Sequence, residues 1–245
     1  MLTRESLTSG DSVLDLATAT PATRVSDRVL LILHGLPKAP GMGRHAAGML
    51  PELADALAQE SGWTVATATL SGVGSSTGSF SAPTWRRDID EVIATFGDQR
   101  VSLAGFGLGG ALALRVAADN PAIYGVATFA TPAHLNQWMG APEDLARLLR
   151  ASGVISAQVP DFDVEPFVAD ILAWDPLAAA AAIPPRRLLV IHGADDKEVP
   201  SSDARDLVDA ADGHGEIRII QSAGHVLRAD PRVVATLLGW LERHR

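Results

Sequence analysis

The chain has 245 residues, of which 47% are hydrophobic and 20% are charged. That is enough for one large domain with a buried core, and it is too apolar for a disordered chain. The absence of cysteine excludes disulfides, thiolate metal sites and a thiol nucleophile. A net charge of −9 argues against nucleic acid as a partner, because the phosphate backbone requires a basic face.

Neither a leader nor a membrane anchor is indicated by the apolar pattern. Residues 1–16 lack the apolar core of a signal peptide. No stretch approaches the roughly 18 apolar residues of a spanning helix. We therefore expect a soluble, cytoplasmic protein without a membrane partner, and a monomer or homodimer as the default state.

In chain order, the hydrophobic pattern predicts one antiparallel strand and then an alternation of strands and helices. The first strand spans 12–20, and the later apolar runs are typical of parallel strands buried on both faces. The further strands are predicted at 29–33, 64–70, 101–104, 123–129, 188–191 and 216–220. The helices are predicted at 49–59, 84–96, 108–118, 203–211 and 231–242. This alternation indicates a single α/β domain over 1–245 with a mostly parallel, doubly wound sheet and flanking helices.

One segment, 131–185, contains no clear strand and interrupts the alternation. It carries possible short helices at 143–150 and 166–174. An insertion of this length is often a short lid or cap over a binding site, and a packed surface excursion is the alternative. Its large apolar residues favour core packing or the underside of the lid over an aromatic site: Phe162, Phe167, Ile171, Leu172 and Trp174.

The densest motif is the sequence VSLAGFGLGG at 101–110, which is followed at once by a helical pattern. A strand that enters a tight glycine-rich turn and leaves as a helix resembles the nucleophile elbow of the α/β-hydrolase superfamily. The resemblance extends along nearly the whole chain. It includes the strand end Leu33-His34-Gly35, the loop 72–80, the helix around Trp85, the acid loop 191–200 and the histidine loop 222–225.

The elbow departs from the family pattern at its central position. The family sequence is G-x-S-x-G, whereas this chain has Gly105-Phe106-Gly107-Leu108-Gly109. Gly107 therefore has no side chain to attack an acyl carbon, although glycine adopts the positive φ of an elbow without strain. Ser102 should be buried in the strand, and Ser71, Ser75 and Ser76 lie on a separate loop that is outside the triad in the family.

The resemblance implies roles for four other residues. His225 would be the general base and Asp196 the acid that orients it, with Asp195 as the adjacent alternative. The backbone N–H groups of Leu36 and Leu108 would form the oxyanion hole.

We interpret the remaining candidate residues as structural. We expect neither a cofactor nor a metal ion. His34 and His192 are predicted to be structural. His45, His134, His214 and His244 show no ligand spacing. The glycines at 72–74 are not followed by a nucleotide-binding pattern. Glu143 and Asp144 are expected on a solvated face.

Three functional interpretations follow from an elbow without a nucleophile. In the first, the protein is esterase-like and acts on a small ester or acyl compound through the His225–Asp196 dyad and water. In the second, it is a non-catalytic pseudoenzyme that binds a small molecule. In the third, it is a serine-to-glycine variant of an ordinary serine esterase.

Overall fold

The computed structural model describes residues 1–24, 27–36, 38, 40–41, 48–155, 159 and 162–244. Its strands form one sheet in the order β1-β2-β4-β3-β5-β6-β7-β8. The bounds are β1 (Leu2–Ser9), β2 (Ser12–Ala19), β3 (Arg28–Leu33), β4 (Thr64–Thr69), β5 (Arg100–Phe106), β6 (Gly125–Phe129), β7 (Arg187–Gly193) and β8 (Glu216–Ile220). The pairs from β4 through β8 are parallel, and β2 joins them antiparallel to β4. The predicted α/β architecture is therefore confirmed.

Helices cover both faces of the sheet. Their bounds are α1 (Leu50–Ser61), α2 (Ala82–Ala94), α3 (Leu108–Asp119), α4 (Leu135–Met139), α5 (Pro142–Ser152), α6 (Val164–Leu172), α7 (Pro176–Ala181), α8 (Ser202–Ala210) and α9 (Pro231–Glu242). Alternate residues of β3 pack into the apolar clusters on opposite faces of the sheet. Leu31 packs with the cluster that contains residues of α2 and α3, and Leu30 packs with the cluster that contains residues of α1 and α9. Because both faces of these strands are buried, their sequences are nearly continuously apolar.

The sequence pattern did not predict β1. Residues Leu2–Ser9 pair with β2 across a tight turn at Gly10, whose φ is 54°. Most β1 side chains are exposed, so the strand carries no apolar run. Two short helices, α4 and α7, were also missed, and β6 begins at Gly125, two residues later than predicted.

The segment 131–185 carries α4 to α7 in its described part. Phe167 packs edge to face on Trp85, with ring centroids 5.5 Å apart, and Phe162 lies 5.1 Å from Phe80 in the same manner. Both are core residues, as expected. Residues 156–158 and 160–161 lie outside the described part, and the lid stays a prediction.

Among the described helices, none combines the length and the apolar character that crossing a membrane requires.

Candidate active site

The elbow lies at the carboxyl edge of the sheet, between β5 and α3. Gly107 has φ 53° and ψ −122°, a conformation that side chains adopt only under strain. Its N–H donates to the carbonyl of Phe129 at 2.8 Å, which ties the turn to β6. The flanking glycines let the helix approach the strand, because a β-carbon on Gly105 would lie 2.2 Å from the carbonyl oxygen of Gly109.

His225 and Asp196 come from the loops that follow β8 and β7. The Nδ1 of His225 lies 2.9 Å from Oδ2 of Asp196. The other oxygen, Oδ1, accepts from the N–H groups of Glu198 at 2.8 Å and Val199 at 3.0 Å. Nε2 of His192 lies 3.2 Å from Oδ2 and 3.1 Å from the Val199 carbonyl. The fully buried Asp196 carboxylate is thus held on both oxygens.

The hydrogen bonds set the protonation of the dyad. Burial raises the pKa of Asp196, but hydrogen bonds from His192, His225 and the Val199 N–H outweigh it and hold the pKa well below its usual range. Burial lowers the pKa of His225, but the hydrogen bond and charge of Asp196 and the charge of Glu198 prevail, so that pKa lies above the ordinary value. Asp196 is therefore ionised and orients a basic imidazole. Asp195, the alternative acid, is exposed, and its backbone N–H donates to the Ala223 carbonyl.

Gly107 faces the free nitrogen of this imidazole. A β-carbon on Gly107 would lie 3.8 Å from Nε2 of His225, and no other described atom outside its chain neighbours lies within 4 Å. The position from which a serine hydroxyl would act is open space beside the base.

This space belongs to a cavity of about 100 Å³. Leu36 and Leu108, the two predicted oxyanion residues, both line it. Leu108 begins α3, so its N–H has no partner within the helix and is available to a developing oxyanion. The rest of the wall is mostly apolar and aromatic, with contributions from Leu50, Phe106, Phe129, Trp138, Val226 and Leu227.

Three charged residues in the described lining of the cavity were not predicted: Lys38, Glu198 and Arg228. Oε2 of Glu198 lies 3.9 Å from Nε2 of His225. Glu198 could have been suspected, because it lies two positions after the acid in the same loop. Lys38 and Arg228 lie on irregular loops, where no periodic pattern shows which side chains face inward.

The predicted structural histidines have structural partners. His34 is buried, with Nδ1 3.1 Å from the Gly35 carbonyl and Nε2 accepting from the N–H of Leu70 at 3.2 Å. His192 supports Asp196, as described above. His214 and His244 contact the carbonyls of Pro185 and Trp240. His45 lies outside the described residues.

None of the serines considered as substitutes lines the cavity in the described part of the chain. Ser102 is fully buried in β5, as predicted. Ser76 is also buried, and its hydroxyl donates to the Thr69 carbonyl at 2.6 Å.

Within the residues that the structure describes, one group of potential metal ligands comes together that sequence spacing did not indicate. Ligand atoms of His134, Asp203 and Asp206 lie within 4.8 Å of one another. Within this group, however, His134 pairs with Asp206 at 3.0 Å, and Asp203 accepts from the N–H of Ala133. These contacts give the residues structural roles outside the cavity.

Two family models match the sequence. The α/β-hydrolase fold model matches residues 28–151, and the prolyl oligopeptidase family model matches residues 93–245. No curated protein sequence matches the chain significantly.

Several solved structures resemble the whole chain. The α/β hydrolase GrgF from Penicillium sp. sh18 superposes with a TM-score of 0.71 at 18% identity, covering 100% of this chain and 99% of that one. An α/β serine hydrolase without a lid from Xanthomonas campestris gives 0.64 at 20% identity, covering 99% and 92%. An α/β serine hydrolase homologue from Coxiella burnetii gives 0.63 at 17% identity, covering 99% and 96%. At these identities the likeness concerns the fold.

The family model over residues 28–151, together with the sheet order and the elbow, shows that this chain belongs to the α/β-hydrolase superfamily.

Proposed function

We propose that the protein hydrolyses a small ester or acyl compound by direct attack of water, which His225 activates in place of an elbow serine. The observation that carries this proposal is the open space above Gly107, 3.8 Å from Nε2 of a histidine whose Nδ1 is held by a buried carboxylate. The base is thus oriented as in a triad, and the nucleophile position has room for a water molecule.

Glu198 supports the same assignment. Its Oε2 lies 3.9 Å from Nε2 of His225. A single water can span that gap with two hydrogen bonds of about 2.8 Å. We assign Glu198 to hold the attacking water, with its backbone fixed by the hydrogen bond from its N–H to Asp196.

The reaction is then a one-stage hydrolysis. His225 takes a proton from water at Nε2, and the water oxygen bonds to the acyl carbon. The negative charge that forms on the carbonyl oxygen is stabilised by the N–H groups of Leu36 and Leu108. The protonated imidazole, stabilised by Asp196, gives its proton to the departing alkoxide, and an acid and an alcohol are released. A covalent acyl-enzyme intermediate would split the hydrolysis into two easier steps. Without that intermediate the single step is more difficult, so we expect reactive esters as substrates.

Covalent labelling separates this chemistry from that of a serine hydrolase. The natural chain should hydrolyse p-nitrophenyl acetate, accumulate no acetylated protein in intact-mass spectrometry, and resist a fluorophosphonate probe. Stoichiometric labelling of any serine would contradict direct attack by water. A folded protein that binds the ester without turnover would instead support the non-catalytic binder.

A further inference from the structure

Two cations line the cavity without a carboxylate partner among the described residues. Arg228 contributes a partly buried guanidinium, whose Nε is buried and has no hydrogen-bond partner in the described part of the chain. Burial lowers the pKa of Arg228. A buried donor without a hydrogen-bond partner is costly, so an anion that arrives with a ligand and accepts from this Nε would stabilise the site.

Arg186 is a structural arginine with which Arg228 can be compared. Burial lowers its pKa as well, but its guanidinium donates to the carbonyls of Ala117 at 2.7 Å, Asn120 at 3.1 Å and Ala182 at 2.9 Å. Those bonds give the guanidinium partners and hold the end of α3 against the segment between α7 and β7. No comparable set of hydrogen bonds is found for Arg228 within the described residues, and Arg228 lines the cavity instead.

Lys38 is the second cation. Its ammonium lies 3.7 Å from the centre of the Trp138 ring and donates to the Trp138 carbonyl. Burial lowers the pKa of Lys38 to about 8, with the charge of Glu198 opposing that shift. Lys38 is therefore still mostly charged at neutral pH, and its contacts leave the positive charge without an ion pair in the described residues.

The charge balance of the cavity opposes that of the whole protein. Among the described residues of the lining, Lys38 and Arg228 outnumber Glu198, whereas the chain carries a net charge of −9. Glu198 is also engaged near Nε2 of His225, at 3.9 Å. A cavity with apolar walls that holds the His225 base together with two cations lacking an ion pair among the described residues fits an acyl chain that ends in an anion.

We propose that the substrate is an ester whose acyl chain carries a carboxylate, and that Arg228, assisted by Lys38, binds this carboxylate. The inference rests on the proposed function, because it places the acyl carbon beside Gly107 and His225 in the same cavity. It adds a residue that determines specificity and a chemical class of substrate.

Two esters of equal length test the preference. Mono-4-nitrophenyl glutarate and 4-nitrophenyl valerate differ by a carboxylate in place of a methyl group. The natural chain should favour the glutarate in kcat/KM by at least about tenfold, since hydrogen bonds to charged groups contribute factors of this size. R228M should bring the ratio down toward one, chiefly through KM, and R228K should restore part of it. R205M removes an exposed arginine outside the cavity and should keep the ratio. A ratio near one in the natural chain, or one that R228M leaves unchanged, would overturn the proposal.

A binding measurement distinguishes this inference from the proposed function. Glutarate itself should bind to the natural protein in calorimetry and lose at least about tenfold affinity in R228M. If glutarate binds through Arg228 but neither ester turns over above the H225A background, the hydrolytic function fails and the carboxylate site stands. If both esters turn over equally and glutarate does not bind, the carboxylate site fails and the hydrolytic function stands. Thermal melting of each variant excludes unfolding as the cause.

Discussion

The β-carbon position of Gly107 lies 3.8 Å from Nε2 of His225, and the described part of the chain places no other atom within 4 Å of it apart from the chain neighbours of Gly107. The elbow therefore keeps its turn and its orientation toward the base while the attacking group is missing. We therefore expect that a single substitution at position 107 can supply the missing nucleophile.

Restoring a serine should restore covalent chemistry. We expect G107S to hydrolyse p-nitrophenyl acetate at least about tenfold faster than the natural chain and to react with a fluorophosphonate, because the new hydroxyl lies within reach of Nε2. G107A is the matched control, since it adds the β-carbon without the hydroxyl. A folded G107S that shows no gain would mean that the oxyanion donors and His225 are not arranged for acyl transfer.

Backbone strain should be the main cost of any side chain at 107. With φ at 53° and open space around the β-carbon, G107A should lose about 1–3 kcal/mol in the free energy of unfolding. G105A should cost more, because its β-carbon would lie 2.2 Å from the Gly109 carbonyl oxygen. Urea unfolding of both variants measures this difference, and equal losses would show that the helix can move away from the strand.

The pH dependence should follow the neutral fraction of His225. A base acts when it is unprotonated, so kcat/KM should rise with pH through a pKa above the ordinary value near 6.5. Replacing Asp196 with asparagine removes the charge and hydrogen bond that favour the imidazolium. The pKa, followed by NMR titration of His225, should therefore fall. A pKa that stays unchanged in D196N would contradict the electrostatic role of Asp196.

Glu198 should contribute to catalysis in two ways, by holding the attacking water and by raising the pKa of His225. E198Q should lower kcat on p-nitrophenyl acetate about tenfold with little change in KM, because a neutral amide holds the attacking water less well. The loss should be several-fold smaller in the G107S background, where serine replaces the water. The acid limb of the pH profile should also move to lower pH, since the carboxylate of Glu198 raises the pKa of His225.

D195N is the control for Glu198, because it removes a carboxylate from the same loop without changing the cavity lining. It should keep the rate within about twofold. If E198Q and D195N behave alike, or if E198Q is equally harmful with and without Ser at 107, Glu198 has no part in holding water.

The fold was predictable because its signals are local and periodic. Apolar runs such as 101–104 mark central strands that are buried on both faces, and glycine spacing marks the elbow. The edge strand β1 escaped because its exposed residues need no apolar pattern. Asp196 and His225 could be found because each lies in a short local motif. Lys38 and Arg228 lie in no such motif. Their loops meet at the cavity only through the tertiary fold.

The most direct test of water activation is the initial rate of p-nitrophenyl acetate hydrolysis by the natural chain and by H225A under identical conditions. Direct attack by water that His225 activates predicts turnover by the natural chain and a loss of at least about 100-fold in H225A, with the melting temperature retained. Equal rates in the two proteins, or a natural chain no faster than buffer, would contradict it.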